Sequence, residues 1–289
     1  MRREAAFYQA LGSGPPLALA ALVPGFVAYD ADTATIVLEL LCDHDTMAAR
    51  CRDVAAEHFP ISAWRAVGAA LAAIHHPHVS VALAPATDCL MPSVFMLDRP
   101  PLEILRTISP AGLTVLKVVQ QSEVICQALE RVRTSWSASA FTHGDIRAEN
   151  LLYRAPADIH IIDWELSGLG DAAWDVACAV AEIVCLWLRG RRRRYEPPAT
   201  GDWVVFQAAI HALWTAYREA APSTNMSAQV VSLLSAVRML QSAFEASAGH
   251  SVPTPTAVLL LQIAVNVLTD LQAAAAHFFA LTPAHRSEC

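Results

Sequence analysis

Asp145, Asn150 and Asp163 lie in two short polar stretches set between apolar runs, Thr142-His-Gly-Asp-Ile-Arg-Ala-Glu-Asn-Leu-Leu and His160-Ile-Ile-Asp-Trp-Glu. Moving a phosphoryl group from a nucleotide to an alcohol needs a carboxylate that orients the acceptor hydroxyl, together with oxygen ligands that hold magnesium against the phosphates. Asp145 suits the first task. An amide oxygen from Asn150 and a carboxylate from Asp163 suit the second, because Mg2+ takes oxygen ligands and keeps positions for phosphate and water. Either stretch alone is a weak signal, whereas both at this separation are specific. A strand ending at Asp163 that pairs back onto residues 151–153 would bring the three oxygens to one spot.

Such side chains need a frame, and the periodicity supplies one. Residues 2–11 read as a short helix stopped by Gly12-Ser-Gly-Pro-Pro. Two strand-like runs, 26–29 and 35–40, flank Asp30-Ala-Asp as a hairpin. From Ser62 the period turns helical, with Trp64, Val67, Leu71 and Ile74 on one face before His75-His76-Pro77. His75, His76 and His78 there read as a helix end, where imidazolium favours the dipole. Residues 113–132 read as one long helix, 139–164 as hairpins, and everything after Ala172 as helical, with breaks near 189–200, 221–225 and 248–254.

Composition narrows the function. With 289 residues, 55% of them apolar, the chain has material for a large core, and a net charge of −7 argues against a nucleic-acid binder. Seven cysteines without a Cys-x-x-Cys pair suit a reducing cytoplasm. No export signal follows Met-Arg-Arg-Glu, and the apolar segment 257–281 is interrupted by Gln262, Asn266, Asp270 and Gln272, so it reads as a buried helix rather than a membrane span.

The chain resembles the aminoglycoside phosphotransferase and choline kinase group of kinase-like enzymes. Its His143-Gly144-Asp145, with Asn150 five residues on, looks like that group's catalytic loop, and Asp163-Trp164-Glu165 like its second metal motif. In Gly170-Asp171-Ala-Ala-Trp-Asp175 the resemblance makes Asp175 a brace for the catalytic loop through hydrogen bonds. Gly68-Ala-Ala-Leu-Ala-Ala-Ile-His75 is similar to the first large-lobe helix, and Val37-Leu-Glu-Leu-Leu41 to the hinge strand whose backbone, at Glu39, Leu40 and Leu41, receives adenine. The implied fold is α+β, protein-kinase-like and two-lobed. Residues 1–42 would form a partial, N-terminally truncated small lobe with hinge, and 43–289 a large helical lobe carrying the catalytic loop and metal motif. ATP and Mg2+ are the implied cofactors.

One departure stands out. The family's small lobe has a strand bearing a phosphate-holding Lys that pairs with a helix Glu; Glu4 matches the Glu, with only three residues before it, and the sole lysine, Lys117, falls in a large-lobe helix pattern. Either the true start lies upstream or the protein works without that lobe edge. Arg147 replaces the family's usual His two positions after the catalytic Asp. It could supply charge to the transition state or pair with Glu149 or Glu165.

A finer resemblance, carried by Pro100 to Trp136 with the catalytic motifs, is to the phosphotransferases of class V lanthipeptide and thioamitide pathways. It implies phosphorylation of Ser or Thr in a precursor peptide, in a hetero-complex with a lyase that eliminates phosphate. The run Arg189-Gly-Arg-Arg-Arg-Arg194 supports an acidic partner, since Arg191, Arg192, Arg193 and Arg194 would repel a polycationic aminoglycoside. The alternatives are a small-molecule O-phosphotransferase and a pseudokinase scaffold.

Overall fold

Apolar side chains recur at helical spacing through most of the chain, and the few strands sit where that period gives way to short β-branched and aromatic runs. The computed structural model describes residues 2–13, 18–52, 58–83, 88–89, 91–192, 200–221 and 226–280. Helix α1 (Arg2–Ser13) buries Ala5, Phe7 and Tyr8. Its Phe7 stacks on Trp164 at 4.3 Å and on Phe141 at 5.7 Å, so α1 is bonded by aromatic packing to the segment that follows Asp163. The hairpin of β1 (Phe26–Asp30) and β2 (Thr35–Leu38) turns at Asp30, whose carboxylate accepts from the Asp32 N–H and the Thr33 hydroxyl. That is Asx-turn chemistry. Val27, Val37 and Leu40 lie exposed on this hairpin and its exit.

The chain then enters a three-stranded antiparallel sheet ordered β3 (Asp45–Thr46), β5 (Leu151–Arg154), β6 (Asp158–Ile161), while β4 (Ala140–Thr142) pairs with β7 (Gly168–Gly170). A short helix, α2 (Met47–Arg50), is capped by the Thr46 hydroxyl, which accepts from the Ala49 N–H. The helical body is built from α3 (Ile61–Ile74), α4 (Pro77–Leu83), α5 (Leu102–Thr107), α6 (Pro110–Gln121), α7 (Glu123–Ser135), α8 (Ala172–Arg192), α9 (Thr200–Ala220), α10 (Ala228–Glu245), α11 (Pro255–Thr269) and α12 (Leu271–Phe278). Helix α3 packs along α9, and α10 against both α8 and α11. The α3–α9 approach is close enough that a Cβ on Gly68 would meet the Leu213 carbonyl oxygen at 2.1 Å, so only glycine fits there.

Two expected helices are broken. The single helix over 113–132 is α6 and α7, because the Ser122 hydroxyl accepts from the Ile125 N–H and starts a new helix with Glu123 in its first turn. The C-terminal helix is α11 and α12, meeting at 113° where the Asp270 carboxylate caps the second at the Ala273 N–H. Among the described residues no single helix is long and apolar enough to cross a membrane. Helix α8 ends at Arg192 and α9 begins at Thr200, both within the expected break near 189–200.

Candidate active site

Strand β4 delivers His143, Gly144 and Asp145 to the end of the sheet. Gly144 has φ +87°, and a Cβ there would lie 2.4 Å from the Leu166 carbonyl oxygen, so the turn needs glycine on both counts. Its shape is fixed from α8: Asp175 accepts from the His143 N–H at 2.7 Å and the Gly144 N–H at 2.9 Å, while Trp174 Nε1 donates to the Gly144 carbonyl at 2.9 Å. Asp175 is fully buried. Burial alone would raise its pKa, but the hydrogen bond and charge of His75, with the charge of His143 and the His143 N–H, hold it below the usual carboxylate range.

His75 Nε2 lies 3.0 Å from Asp175, which as a carboxylate can only accept, so Nε2 carries the proton; Nδ1 faces the Tyr217 hydroxyl at 3.1 Å. His75 stands at the end of α3 as its C-cap, as expected, and is in addition a buried partner of Asp175. His76 and His78 stack on one another outside this network.

The His143 ring is also a brace. Its Nδ1 accepts from the Asp145 N–H at 3.2 Å, which leaves Nε2 to donate to the Ile162 carbonyl at 3.0 Å. With no exposed surface and both nitrogens engaged, His143, grouped with the catalytic loop by the resemblance, holds the loop's shape. It ties the loop of Asp145 to the residue preceding Asp163.

Around Asp145 the structure gathers charges from three elements. Arg147 Nη1 is 3.7 Å from Asp145 Oδ2, and Arg238 Nη2, from α10, is 3.5 Å from Oδ1. Glu245, near the end of α10, meets Arg147 at 3.0 Å and Arg238 at 3.8 Å. Glu149 meets Arg147 at 4.0 Å and Arg189 at 3.4 Å. Arg147 thus pairs first with Glu245, a partner the sequence reading did not consider, and Glu165 is not among its ion pairs. Burial works against its charge, but Asp145 and Glu245 more than compensate, so its pKa is raised. Arg238, with a 3% exposed side chain, also escaped the sequence reading. A signal existed: a lone arginine inside the apolar run Ala236-Val-Arg-Met-Leu240 is a charge in a core position.

Asn150 is buried, and its amide Nδ2 donates to the Asp145 carbonyl at 3.0 Å, which leaves the amide oxygen as a ligand. Its own carbonyl accepts from the Ile162 N–H at 3.0 Å, and Leu151 pairs with Ile161. The register therefore sets Asn150 beside the approach to Asp163. Asp163 adopts left-handed backbone at φ 66°, ψ 62°, an Asp-tolerated conformation that turns the chain out of β6. It is exposed and forms no ion pair among the described residues. One carboxylate and one amide oxygen are the donor set Mg2+ prefers, so these residues fit the ion.

Glu4 reaches this neighbourhood from α1, where its carboxylate accepts from the Trp164 N–H at 3.3 Å. Burial raises its pKa, opposed by that hydrogen bond and reinforced by the charge of Asp163. Its partner is thus a backbone amide; the lone lysine, Lys117, is exposed on α6. In the expected hinge, the Glu39 N–H donates to the Gly25 carbonyl at 2.7 Å and its carboxylate accepts from the Gly25 N–H, closing the hairpin. Leu40 is exposed, and the Leu41 carbonyl accepts from the His44 N–H. Of the basic run, Arg189 pairs with Glu149 and with buried Glu182, Arg191 and Arg192 end α8, and Arg193 and Arg194 lie outside the described residues.

Comparison with known proteins adds a family and a fold. Residues 1–219 match the model of the phosphotransferase enzyme family. No curated protein matches the sequence. Glucosamine kinase, solved with glucosamine, ADP and inorganic phosphate, is similar with a TM-score of 0.52 at 15% identity, covering 93% of this chain and 71% of its own. Choline kinase LicA from Streptococcus pneumoniae is similar with a TM-score of 0.52 at 16% identity, covering 93% and 80%. A choline/ethanolamine kinase family protein from Mesorhizobium loti gives 0.50 at 18%, covering 98% and 80%. At these identities the likeness establishes the kinase-like α+β fold.

Proposed function

This chain belongs to the phosphotransferase enzyme family, and from that premise we propose that it transfers the γ-phosphoryl group of ATP to a hydroxyl of a ribosomally made peptide. Residues 1–42 are read as a partial small lobe with hinge and 43–289 as the large helical lobe that carries the catalytic loop and the metal ligands. Asp145 orients the acceptor hydroxyl and takes its proton as the new O–P bond forms and the bond to the leaving ADP breaks. Asn150 and Asp163 hold Mg2+, which when bound neutralises charge on the nucleotide phosphates. Arg147 and Arg238 counter negative charge beside Asp145.

The observation that carries the peptide reading is the pairing of the carboxylates around Asp145. Glu149 and Glu245 each already face guanidinium groups, Glu149 those of Arg147 and Arg189, Glu245 those of Arg147 and Arg238. A polycationic acceptor would have to displace those arginines, whereas a neutral Ser or Thr hydroxyl in an acidic segment would not. The resemblance of residues 100–136 to the lanthipeptide-pathway branch points the same way, with a lyase as the partner that eliminates the phosphate.

A second reading, transfer to a small-molecule alcohol, is favoured by the similar structure of glucosamine kinase, which holds glucosamine with ADP and phosphate. Labelled ATP separates the two. The chain is incubated with the products of neighbouring genes, with amino sugars and with choline. Label on peptide Ser or Thr, discharged when the lyase is added, supports the first reading; label only on a small molecule overturns it.

A further inference from the structure

We propose that His44, Asp158 and His160 form a binding site for a first-row transition-metal dication, with Zn2+ the ion its ligands suit, separate from the Mg2+ ligands. The register brings the three together. His44 immediately precedes β3, which pairs Thr46 with Leu152 of β5, and Leu152 in turn pairs with His160 of β6. His44 Nε2 then lies 3.3 Å from Asp158 Oδ2, His160 Nδ1 lies 3.5 Å from Asp158 Oδ1, and the three ligand atoms all fall within 4.8 Å of one another.

The two nitrogen-to-carboxylate distances are close to what a metal requires. Two ligand atoms about 2.1 Å from a tetrahedral zinc stand about 3.4 Å apart. The rings meet edge to face at 4.9 Å, so their nitrogens approach the carboxylate from different directions. Imidazole nitrogen with one carboxylate selects zinc, nickel or copper over magnesium or calcium.

Hydrogen bonding does not account for the cluster. The His44 side chain is 4% exposed, yet neither of its ring nitrogens has a hydrogen-bond partner, and His160 Nδ1 has none. Buried polar atoms are normally satisfied, so the two unpartnered nitrogens that face the Asp158 carboxylate, His44 Nε2 and His160 Nδ1, form an unmet demand that a dication would meet. Arg154 donates to Asp158 Oδ2 from Nε at 3.0 Å and from Nη2 at 2.7 Å. This orients the carboxylate through Oδ2, the oxygen nearer His44, and leaves Oδ1, the oxygen nearer His160, open as the ligand, the part an outer partner plays in metal sites. The like charge of Arg154 is shared with Asp43, 3.9 Å from its Nη1. A bound ion would tie the segment after the hinge to the β5–β6 hairpin.

The test uses the full chain, stripped of metal and free of nucleotide. Zinc is titrated against a chromophoric chelator, and Co2+ is substituted to read the coordination number from its visible absorption. The expected result is one saturable equivalent with the absorption of four-coordinate cobalt, weakened about tenfold or more in His44→Gln and in His160→Gln. A His76→Gln/His78→Gln variant, which removes the stacked surface pair, leaves that equivalent intact. Histidine NMR signals of the wild-type chain supply a reading that needs no variant: zinc shifts those of His44 and His160. No saturable binding, undiminished binding in the His44 and His160 variants, or zinc-induced shifts confined to other histidines would overturn the site.

Discussion

Arg238 Nη2 lies 3.5 Å from Asp145 Oδ1, so a side chain buried in α10 neutralises the carboxylate at the centre of the catalytic loop. Nothing in the motif itself announces that partner. Its Nη1 also donates to the Ser242 hydroxyl at 2.8 Å, which holds the guanidinium in place.

Replacing Arg238 with Met removes a buried cation shared by Asp145 and Glu245. Loss of one partner from a buried charge network costs about 3 kcal/mol. We expect a lower melting temperature and at least a tenfold fall in turnover, with Arg238→Lys recovering part of both. Thermal denaturation and steady-state kinetics check this; wild-type turnover in the folded Met variant would remove Arg238 from the site.

Asp175→Ala leaves the His143 and Gly144 N–H groups and His75 without their acceptor. Unsatisfied buried donors cost about 1–3 kcal/mol each, so the variant is severely destabilised and the catalytic loop loosens first. Hydrogen exchange at residues 143–145 reads the loosening. Because the folded carboxyl sits below its ordinary range, its contribution is complete above that range and is lost only as pH falls through the lowered value. Wild-type stability near neutral pH therefore owes no slope to Asp175.

Glu182 behaves in the opposite sense. Burial pushes its carboxyl up from 4.5 to about 7, against the opposing charge of Arg189. The stability it gives is complete below the unfolded value of 4.5 and is lost as pH rises through about 7. Glu182→Gln keeps the neutral shape, so its melting temperature should fall less than that of the wild type across that interval. Parallel pH profiles would contradict the assignment.

Gly144→Ala places a Cβ 2.4 Å from the Leu166 carbonyl at a φ of +87°. Strain of this kind costs about 1–3 kcal/mol before the clash is counted. The expected outcome is a measurable drop in melting temperature and a larger drop in turnover, because Asp145 shifts with the turn.

The sequence was most legible where local chemistry determines structure. Asp145, Asn150 and Asp163 stood out because their spacing reflects a loop and a hairpin closed by nearby residues, whereas Asp175, on α8, was expected only from the family resemblance. The break at Ser122 was missed because the apolar period resumes on both sides of Gln120-Gln-Ser-Glu123; its effect comes from one bond, in which the Ser122 hydroxyl accepts from the Ile125 N–H. Arg238, Glu245 and the His75–Asp175 pair depend on helix packing, which fixes contacts between residues far apart in the chain and leaves only indirect marks, such as a charge in an apolar run. The His44–His160 juxtaposition likewise follows from strand register alone.

The most direct measurement is phosphate transfer by Asp145→Ala, made on the acceptor that the wild type labels from labelled ATP with Mg2+ present. Losing the group that orients the hydroxyl and accepts its proton should lower turnover by roughly two to four orders of magnitude while circular dichroism shows the fold retained. Undiminished transfer by a folded Asp145→Ala chain would contradict Asp145's role as the residue that orients the acceptor.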